Sequence, residues 1–214
     1  MGSQTIMDIV GSTIVFGALL FNAFQLNYGS SESIQDFRGD LIVQQNLVAV
    51  TTLLEYDFRK IGYCKDYSKI PIATCSIRYA DSSKIVFWTD IATPGLPSGD
   101  GNVDSLAYYV GPTSELGDTP NPKDRLIYRS LNNETPVGVR LGVTIFDLQY
   151  FDAFHNKLST PVADPREIQS LQITIQVEHP IKFTKYYTNT QSDTLYQSAS
   201  WRQIRLIAKN LNNR

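Results

Sequence analysis

A long uncharged stretch near the N-terminus constrains this chain more than any other feature of its sequence. Between Ile9 and Ser31 there is no charged side chain, and the first Lys or Arg is Arg38. Residues 9–26 are predominantly apolar and about long enough to cross a bilayer core as a helix. The sequence beyond them is polar and rich in Tyr and Phe. The apolar segment therefore requires an apolar environment, whereas the rest of the chain is suited to water.

Three ordinary structures compete for this apolar segment. A cleaved signal peptide carries a basic n-region and a small-residue cleavage site, whereas residues 1–8 contain no Lys or Arg. A typical transmembrane anchor has Lys or Arg on its cytoplasmic flank, and that flank is missing here as well. A buried core helix of a soluble domain remains open, although such an apolar helix at an extreme terminus is unusual.

Asp8 stands at the head of the apolar segment and allows two interpretations. A carboxylate at this place can simply favour the N-terminal end of the helix dipole. It can also be functional, because a charge in lipid is costly. It would then pair with a cation from another copy of the chain, the nearest one being the free α-amino terminus.

Small residues and a polar stretch interrupt the apolar pattern. Gly11, Ser12, Gly17 and Ala18 allow close approach of helix backbones, or they mark places where the helix melts. Residues 27–31 form a candidate hinge. Beyond them, apolar residues with helical spacing predict one buried stripe of an amphipathic helix. The stripe consists of Val43, Leu47, Val50, Leu54, Phe58 and Ile61.

Gly62 is the predicted C-cap of this helix, and from residue 76 onward the apolar pattern repeats every second residue. The predicted domains are an apolar and amphipathic N-terminal helix over residues 1–62 and a β-rich head over residues 63–214, which contains the loop between Cys64 and Cys75. The predicted strands are 77–79, 84–89, 106–110, 125–131, 143–154, 168–178 and 201–211.

The clearest predicted strand alternates between two faces. Its apolar face consists of Leu171, Ile173, Ile175 and Val177, and its wet face of Gln172, Thr174, Gln176 and Glu178. Tyr108 and Tyr109 are expected to be exposed residues of another strand. Together these patterns predict an α+β fold in which a long N-terminal α-helix packs on an antiparallel β-sheet head.

The chain contains two cysteines, Cys64 and Cys75, on either side of a loop-like stretch. They could be a redox pair or half of a metal site, but CxxC spacing is absent and the two histidines, His155 and His179, are isolated. A structural disulfide between the cysteines is the favoured interpretation, and it implies an oxidising compartment.

The sequence contains none of the common nucleotide-binding, metalloprotease or hydrolase motifs. We therefore expect no enzyme activity, no catalytic residue and no cofactor. Asp100, Asn102 and Asp104 match the first half of a calcium loop, but Ser105 replaces its turn glycine, which favours an ordinary polar loop. A formal net charge of −2 gives no support for nucleic-acid contact.

On these residues the chain resembles the type IV pilin family, and in particular its minor pilins and J-type pseudopilins. Gly2 matches the glycine that ends the family's leader, and Asp8 matches its carboxylate, one position later than usual. The order of long helix, cysteine loop and meandering strands is also similar. The short sequence segments at residues 55–63, 84–90 and 201–211 also resemble those of this subgroup.

The resemblance implies a structural subunit of an extracellular type IV pilus-like or pseudopilus filament. Its precursor would sit in the cytoplasmic membrane, and its partners would be copies of itself or other pilin-like subunits in a helical assembly. The predicted assembly residues are Asp8, Ile9, Gly11, Ile14, Phe16, Gly17, Leu20, Phe21 and Phe24. The alternative is a single-pass, membrane-anchored binding or adhesion module whose helix is only a tether.

Overall fold

The computed structural model describes residues 2–71, 75–91, 99–132, 134–181, 183–185, 193–196 and 198–206. The chain divides into two compact units, one ending at Leu41 and one beginning at Ile42. The sequence placed the domain boundary after residue 62. The compact unit begins earlier because the last turns of the helix belong to the hydrophobic core of the head.

The first element is a single helix, α1, over Gly2–Arg59, 58 residues long. It runs without interruption through Gly11, Gly17 and residues 27–31, so the candidate hinge and the melted glycines are not found. After the helix, Gly62 takes a positive φ of 72°. Its backbone N–H donates to the carbonyl of Trp88 at 2.8 Å, which connects the end of the helix to the sheet.

A seven-stranded antiparallel sheet follows, in the order β1-β2-β3-β4-β5-β6-β9. A separate hairpin pairs β7 with β8. The strands are β1 Ile77–Ala80, β2 Lys84–Thr89, β3 Asp104–Val110, β4 Arg125–Leu131, β5 Val137–Phe151, β6 Ser170–Glu178, β7 Phe183–Lys185, β8 Asp193–Leu195 and β9 Ser198–Leu206.

The predicted strands agree with these bounds to different degrees. β2 and β4 have the predicted limits, and β5 begins at Val137 rather than at residue 143. The hairpin of β7 and β8 was not predicted. The last residues of the seventh predicted strand, 207–211, lie outside the described residues.

The core lies between the C-terminal part of α1 and one face of the sheet. All six residues of the predicted stripe are buried, and Leu54, Phe58 and Ile61 have no exposed surface. The Phe58 ring meets the rings of Phe87 and Tyr108 edge-on, each at 5.5 Å between centroids. The predicted α+β fold, with a long helix packed on an antiparallel sheet, is confirmed.

Strand β6 departs from the predicted alternation. Its apolar face is fully buried as predicted, but Gln172 and Glu178, predicted to be wet, are buried too. β6 pairs with β5 on one side and with the edge strand β9 on the other. The Glu178 carboxylate accepts hydrogen bonds from Asn121 Nδ2 and Gln176 Nε2, each at 2.9 Å, which compensates part of the cost of its burial.

Candidate assembly site

The N-terminal part of α1 presents its apolar side chains to solvent. Ile14 is 67% exposed and Phe24 is 70% exposed, and even Leu20 is 41% exposed. The most apolar 18-residue window of the helix has a mean hydropathy of 1.8 and none of it is buried, so by length and composition this helix could cross a membrane. Such a surface is unfavourable in water and requires a lipid or protein partner.

Three polar side chains within this apolar surface hydrogen-bond to their own helix. Ser12 Oγ and Thr13 Oγ1 both donate to the carbonyl of Ile9, at 2.9 and 2.8 Å. Asn22 Nδ2 donates to the carbonyl of Ala18 at 3.0 Å. Because these groups need no water, the segment can enter lipid or a dry protein interface at a smaller cost.

Asp8 differs from these three polar residues. Its side chain is exposed. Among the described residues, no group donates a hydrogen bond to its carboxylate or forms an ion pair with it. In an aqueous environment water would solvate this group. In lipid, or among packed helices, it would need a cation.

The predicted assembly residues do not form a single stripe. At 3.6 residues per turn, they are distributed around the whole circumference of the helix. Neighbours outside the predicted set, Val10, Val15 and Leu19, are at least half exposed as well. A Cβ atom built on Gly11 or Gly17 meets no atom within 4 Å, so both sites are open to close approach by another chain. The whole apolar segment is therefore the candidate site.

The calcium candidates are engaged by the protein itself. Asp104 accepts the Ile91 N–H at 3.0 Å and Asn132 Nδ2 at 2.7 Å, while Asp100 accepts the Asn102 N–H at 2.7 Å. Asn102 Oδ1 accepts the ammonium group of Lys69 at 2.8 Å, which places a positive charge where a cation would bind. Within the described segments, no group of three His, Cys, Asp or Glu side chains could hold a metal ion.

The Asp90 carboxylate organises this loop. Its carboxylate is fully buried and accepts the backbone N–H groups of Lys65, Asp100 and Gly101 at 3.0 to 3.1 Å. Gly99 has a φ of +86°, and a Cβ there would lie 1.9 Å from Asp90 Oδ1. The glycine thus leaves room for the carboxylate that holds the loop together.

The predicted disulfide is not formed in this structure, which has Cys64 and Cys75 as free thiols. The Cys64 Sγ lies 3.9 Å from Asp90 Oδ2, while the Cys75 Sγ donates to the carbonyl of Ile77 at 2.9 Å. Burial raises the pKa of both thiols above the ordinary value. Each cysteine therefore carries a neutral thiol at neutral pH.

A buried polar cluster that the sequence did not predict joins the helix to the sheet. Asp57 on α1 accepts hydrogen bonds from the Tyr108 hydroxyl on β3 and from Arg129 Nε on β4, the latter at 2.9 Å. Arg129 Nε also lies 3.1 Å from the Tyr108 hydroxyl. Burial, reinforced by the Asp57 charge, raises the pKa of Tyr108 well above its ordinary value, so the phenol keeps its proton and donates it.

The expected exposure of Tyr108 was wrong, since this residue is 1% exposed. The helical spacing did contain a signal for the cluster. Asp57 follows Leu54 by three positions and directly precedes Phe58, which places it beside the buried stripe. A carboxylate at such a position requires a buried donor or cation on the facing element.

No family profile and no curated protein matches the sequence. Among solved structures, the chain is similar to a type IV-like pilin from Thermus thermophilus, with 13% identical residues and a TM-score of 0.45. The similarity covers 78% of this chain and 97% of that one.

Proposed function

We propose that this chain is a structural subunit of an extracellular type IV pilus-like or pseudopilus-like filament, and that it polymerises through its N-terminal helix. The observation that carries the proposal is the uncharged apolar segment of α1. Its side chains are exposed, whereas the apolar stripe further along the same helix is buried on the sheet. The sequence resemblance to pilins at Gly2, at Asp8 and in the short segments 55–63, 84–90 and 201–211 supports the same function.

Assembly would proceed by an exchange of apolar partners. The precursor would first reside in the cytoplasmic membrane, with its helix in lipid and its head outside. In the filament, the apolar segments of neighbouring copies would replace the lipid, packing closely at Gly11 and Gly17. Contacts between different surfaces of identical subunits do not close on themselves, and they generate an open helical array.

Asp8 would provide the polar contact in this exchange. In the filament its carboxylate would pair with a cation of a neighbouring copy, which favours one stagger of the helices over others. Apolar packing is non-directional, so it favours one stagger less strongly than a paired charge does.

Removing the Asp8 carboxylate tests the proposal. We expect Asp8→Ala to abolish filaments or reduce them sharply in electron micrographs, while near-UV circular dichroism shows an intact head. Asp40→Ala is the matched control, because Asp40 is an exposed carboxylate of the same helix beyond the apolar segment. Normal filaments in the Asp8→Ala variant would contradict the pairing role of this carboxylate.

A further inference from the structure

An open pocket of about 670 Å³ lies on the sheet face opposite the helix. Phe87 of β2 points toward α1, so the next residue, Trp88, points to the other face and lines the pocket. The remaining wall includes Arg78 of β1 and the turn that holds Asp164, Pro165 and Arg166. Its volume falls within the range of small-ligand sites and far exceeds that of a single ion.

Arg78 is fixed over the floor of this pocket. The register of β1 against β2 shifts between Ile77 and Tyr79, which makes Arg78 the extra residue of a bulge. Bulges of this kind redirect a side chain. The guanidinium lies 4.5 Å from the centre of the Trp88 ring, and its Nη1 donates to Ser105 Oγ on β3 at 3.2 Å. Stacking and this hydrogen bond together hold the guanidinium across two strands.

Arg166 also lines the pocket, and its own turn orients it. The Asp164 carboxylate accepts the Arg166 backbone N–H at 3.0 Å and its Nε at 2.9 Å. These hydrogen bonds, above all the one from the Arg166 side chain, lower the pKa of Asp164, so the pair stays ionised. Within the described residues, Arg78 forms no ion pair with a carboxylate. Arg166 pairs with Asp164 of its own turn and with no other carboxylate.

The pocket has a positive charge on a chain that is negative overall. Its lining contains two guanidinium groups and one carboxylate, whereas the formal net charge of the chain is −2. Cys75 also lines the pocket, and because burial raises the pKa of its thiol, it adds no negative charge. One guanidinium group stacks on Trp88 and the other is oriented by Asp164, and guanidinium groups are the side-chain groups that proteins commonly use to bind carboxylates and phosphates.

We propose that this pocket binds an oxyanion, a carboxylate or a phosphate group, through Arg78 and Arg166. The Trp88 and Pro165 side chains provide an apolar wall for the body of the ligand, which the volume allows to be as large as a sugar. The site lies outside the apolar segment of α1, so it would be present on the head whether or not the chain assembles.

Calorimetric titration of the full-length protein in a neutral detergent tests the site with three probes at low ionic strength. D-glucuronate presents a carboxylate on a sugar, inorganic phosphate presents the oxyanion alone, and D-glucose presents the sugar without charge. We expect glucuronate, phosphate or both to bind, glucose not to bind, and added salt to weaken the binding. Which anion binds more tightly distinguishes a carboxylated sugar from free phosphate as the source of the group.

Variants separate this site from general electrostatic attraction. We expect Arg78→Gln and Arg166→Gln each to weaken anion binding by about tenfold or more, since each removes a charge-assisted hydrogen bond. Lys84→Gln is the matched control, because Lys84 is an exposed cation of β2 that lies over Tyr79 and Tyr109 and does not line the pocket. Its binding should change less than about twofold.

Three results would overturn the proposal. The first is that neither anion binds to the unmodified protein. The second is that glucose binds as well as glucuronate while phosphate does not bind. The third is that both arginine variants, shown to be folded by circular dichroism, bind the anions as the Lys84→Gln variant does.

Discussion

Two buried carboxylates of the head, Asp57 and Asp124, are held in different ways. Asp57 has a phenol and a guanidinium as hydrogen-bond donors. Asp124 is 2% exposed, and its Oδ1 has no hydrogen-bond partner in the part of the chain that is described. Burial, with a smaller contribution from Glu178, raises the pKa of Asp124, and the attraction of Arg140 compensates only in part. Asp124 is therefore a carboxylate in an unfavourable environment.

We expect Asp124→Asn to stabilise the head at neutral pH by about 1 kcal/mol, the scale of one unsatisfied buried polar group. Because the pKa of Asp124 is raised on folding, the folded protein binds this proton more tightly than the unfolded chain. Stability is therefore lost as the pH rises from the ordinary Asp pKa of about 3.9 through the raised value. The Asn variant lacks this loss.

Thermal unfolding of the full-length protein in detergent, between about pH 4 and about pH 8, measures this difference. The advantage of the variant should grow with pH and vanish in acid. Asp118→Asn is the control, since the Asp118 side chain is 78% exposed and only 4.0 Å from Arg140 Nη1. An Asp124→Asn variant that is less stable than the unmodified protein at about pH 8 would contradict the prediction.

Neither carboxylate environment could be obtained from the sequence alone. Both depend on residues far apart in the chain, since Asp57 is paired with Arg129 and Asp124 is affected by Arg140 and Glu178. Local spacing shows that Asp57 borders the apolar stripe, but it does not show which strand supplies the donors. Cys64 and Cys75 illustrate the same limit, because they are close in sequence but do not form a disulfide in this structure.

At the scale of elements, periodicity was sufficient where one face of an element is buried and the other is wet. The stripe of α1 and the limits of β2 were predicted because each follows such a pattern. The limits of β4 agree with the prediction as well, although burial along this strand does not alternate. The first residues of β5, from Val137 to Arg140, are all exposed and carry no such alternation. The hairpin of β7 and β8 consists of three-residue strands, too short for a period of two to be recognised.

The buried stripe predicts a clear difference between two adjacent leucines. Leu54 has no exposed surface, whereas Leu53 is 44% exposed. We expect Leu54→Ala to lower the free energy of unfolding of the head by about 2–5 kcal/mol, because it leaves a cavity between helix and sheet. Leu53→Ala should change it by less than about 1 kcal/mol. Chemical unfolding followed by near-UV circular dichroism measures both, and equal effects would mean that the helix does not pack through Leu54.

At the scale of the whole molecule, the chain combines a helical unit without a core with a head that has one. The unit ending at Leu41 has its apolar side chains exposed, and the unit from Ile42 contains the hydrophobic core. This division is compatible with an assembly subunit and with a binding module on a tether. The two functions differ in whether the identity of the apolar residues matters.

Replacing residues 9–26 with an unrelated apolar helix of the same length separates these two functions. An assembly helix needs its own glycines and side-chain shapes, so we expect the replaced chain to enter the membrane but to form no filaments. A tether needs only apolar length, and its head would function unchanged. Membrane fractionation and electron microscopy of cells with the unmodified or the replaced chain provide the readout. Normal filaments after the replacement would show that the identity of the apolar residues does not direct assembly, and a lack of filaments from the unmodified chain would favour the tether.

The contact of Asp57 with Arg129 has a mechanical consequence for the proposed filament. A subunit drawn out of the membrane by its neighbours experiences tension along its helix axis. Leu47, Val50 and Leu54 have similar side chains, so a slip of α1 by one turn would largely exchange one aliphatic neighbour for another. The same slip would leave the buried Asp57 carboxylate without its counter-ion, at a cost of about 3–5 kcal/mol. In the proposed filament, tension would therefore pass to β3 and β4 through the hydrogen bonds of Asp57, which resist sliding of the helix.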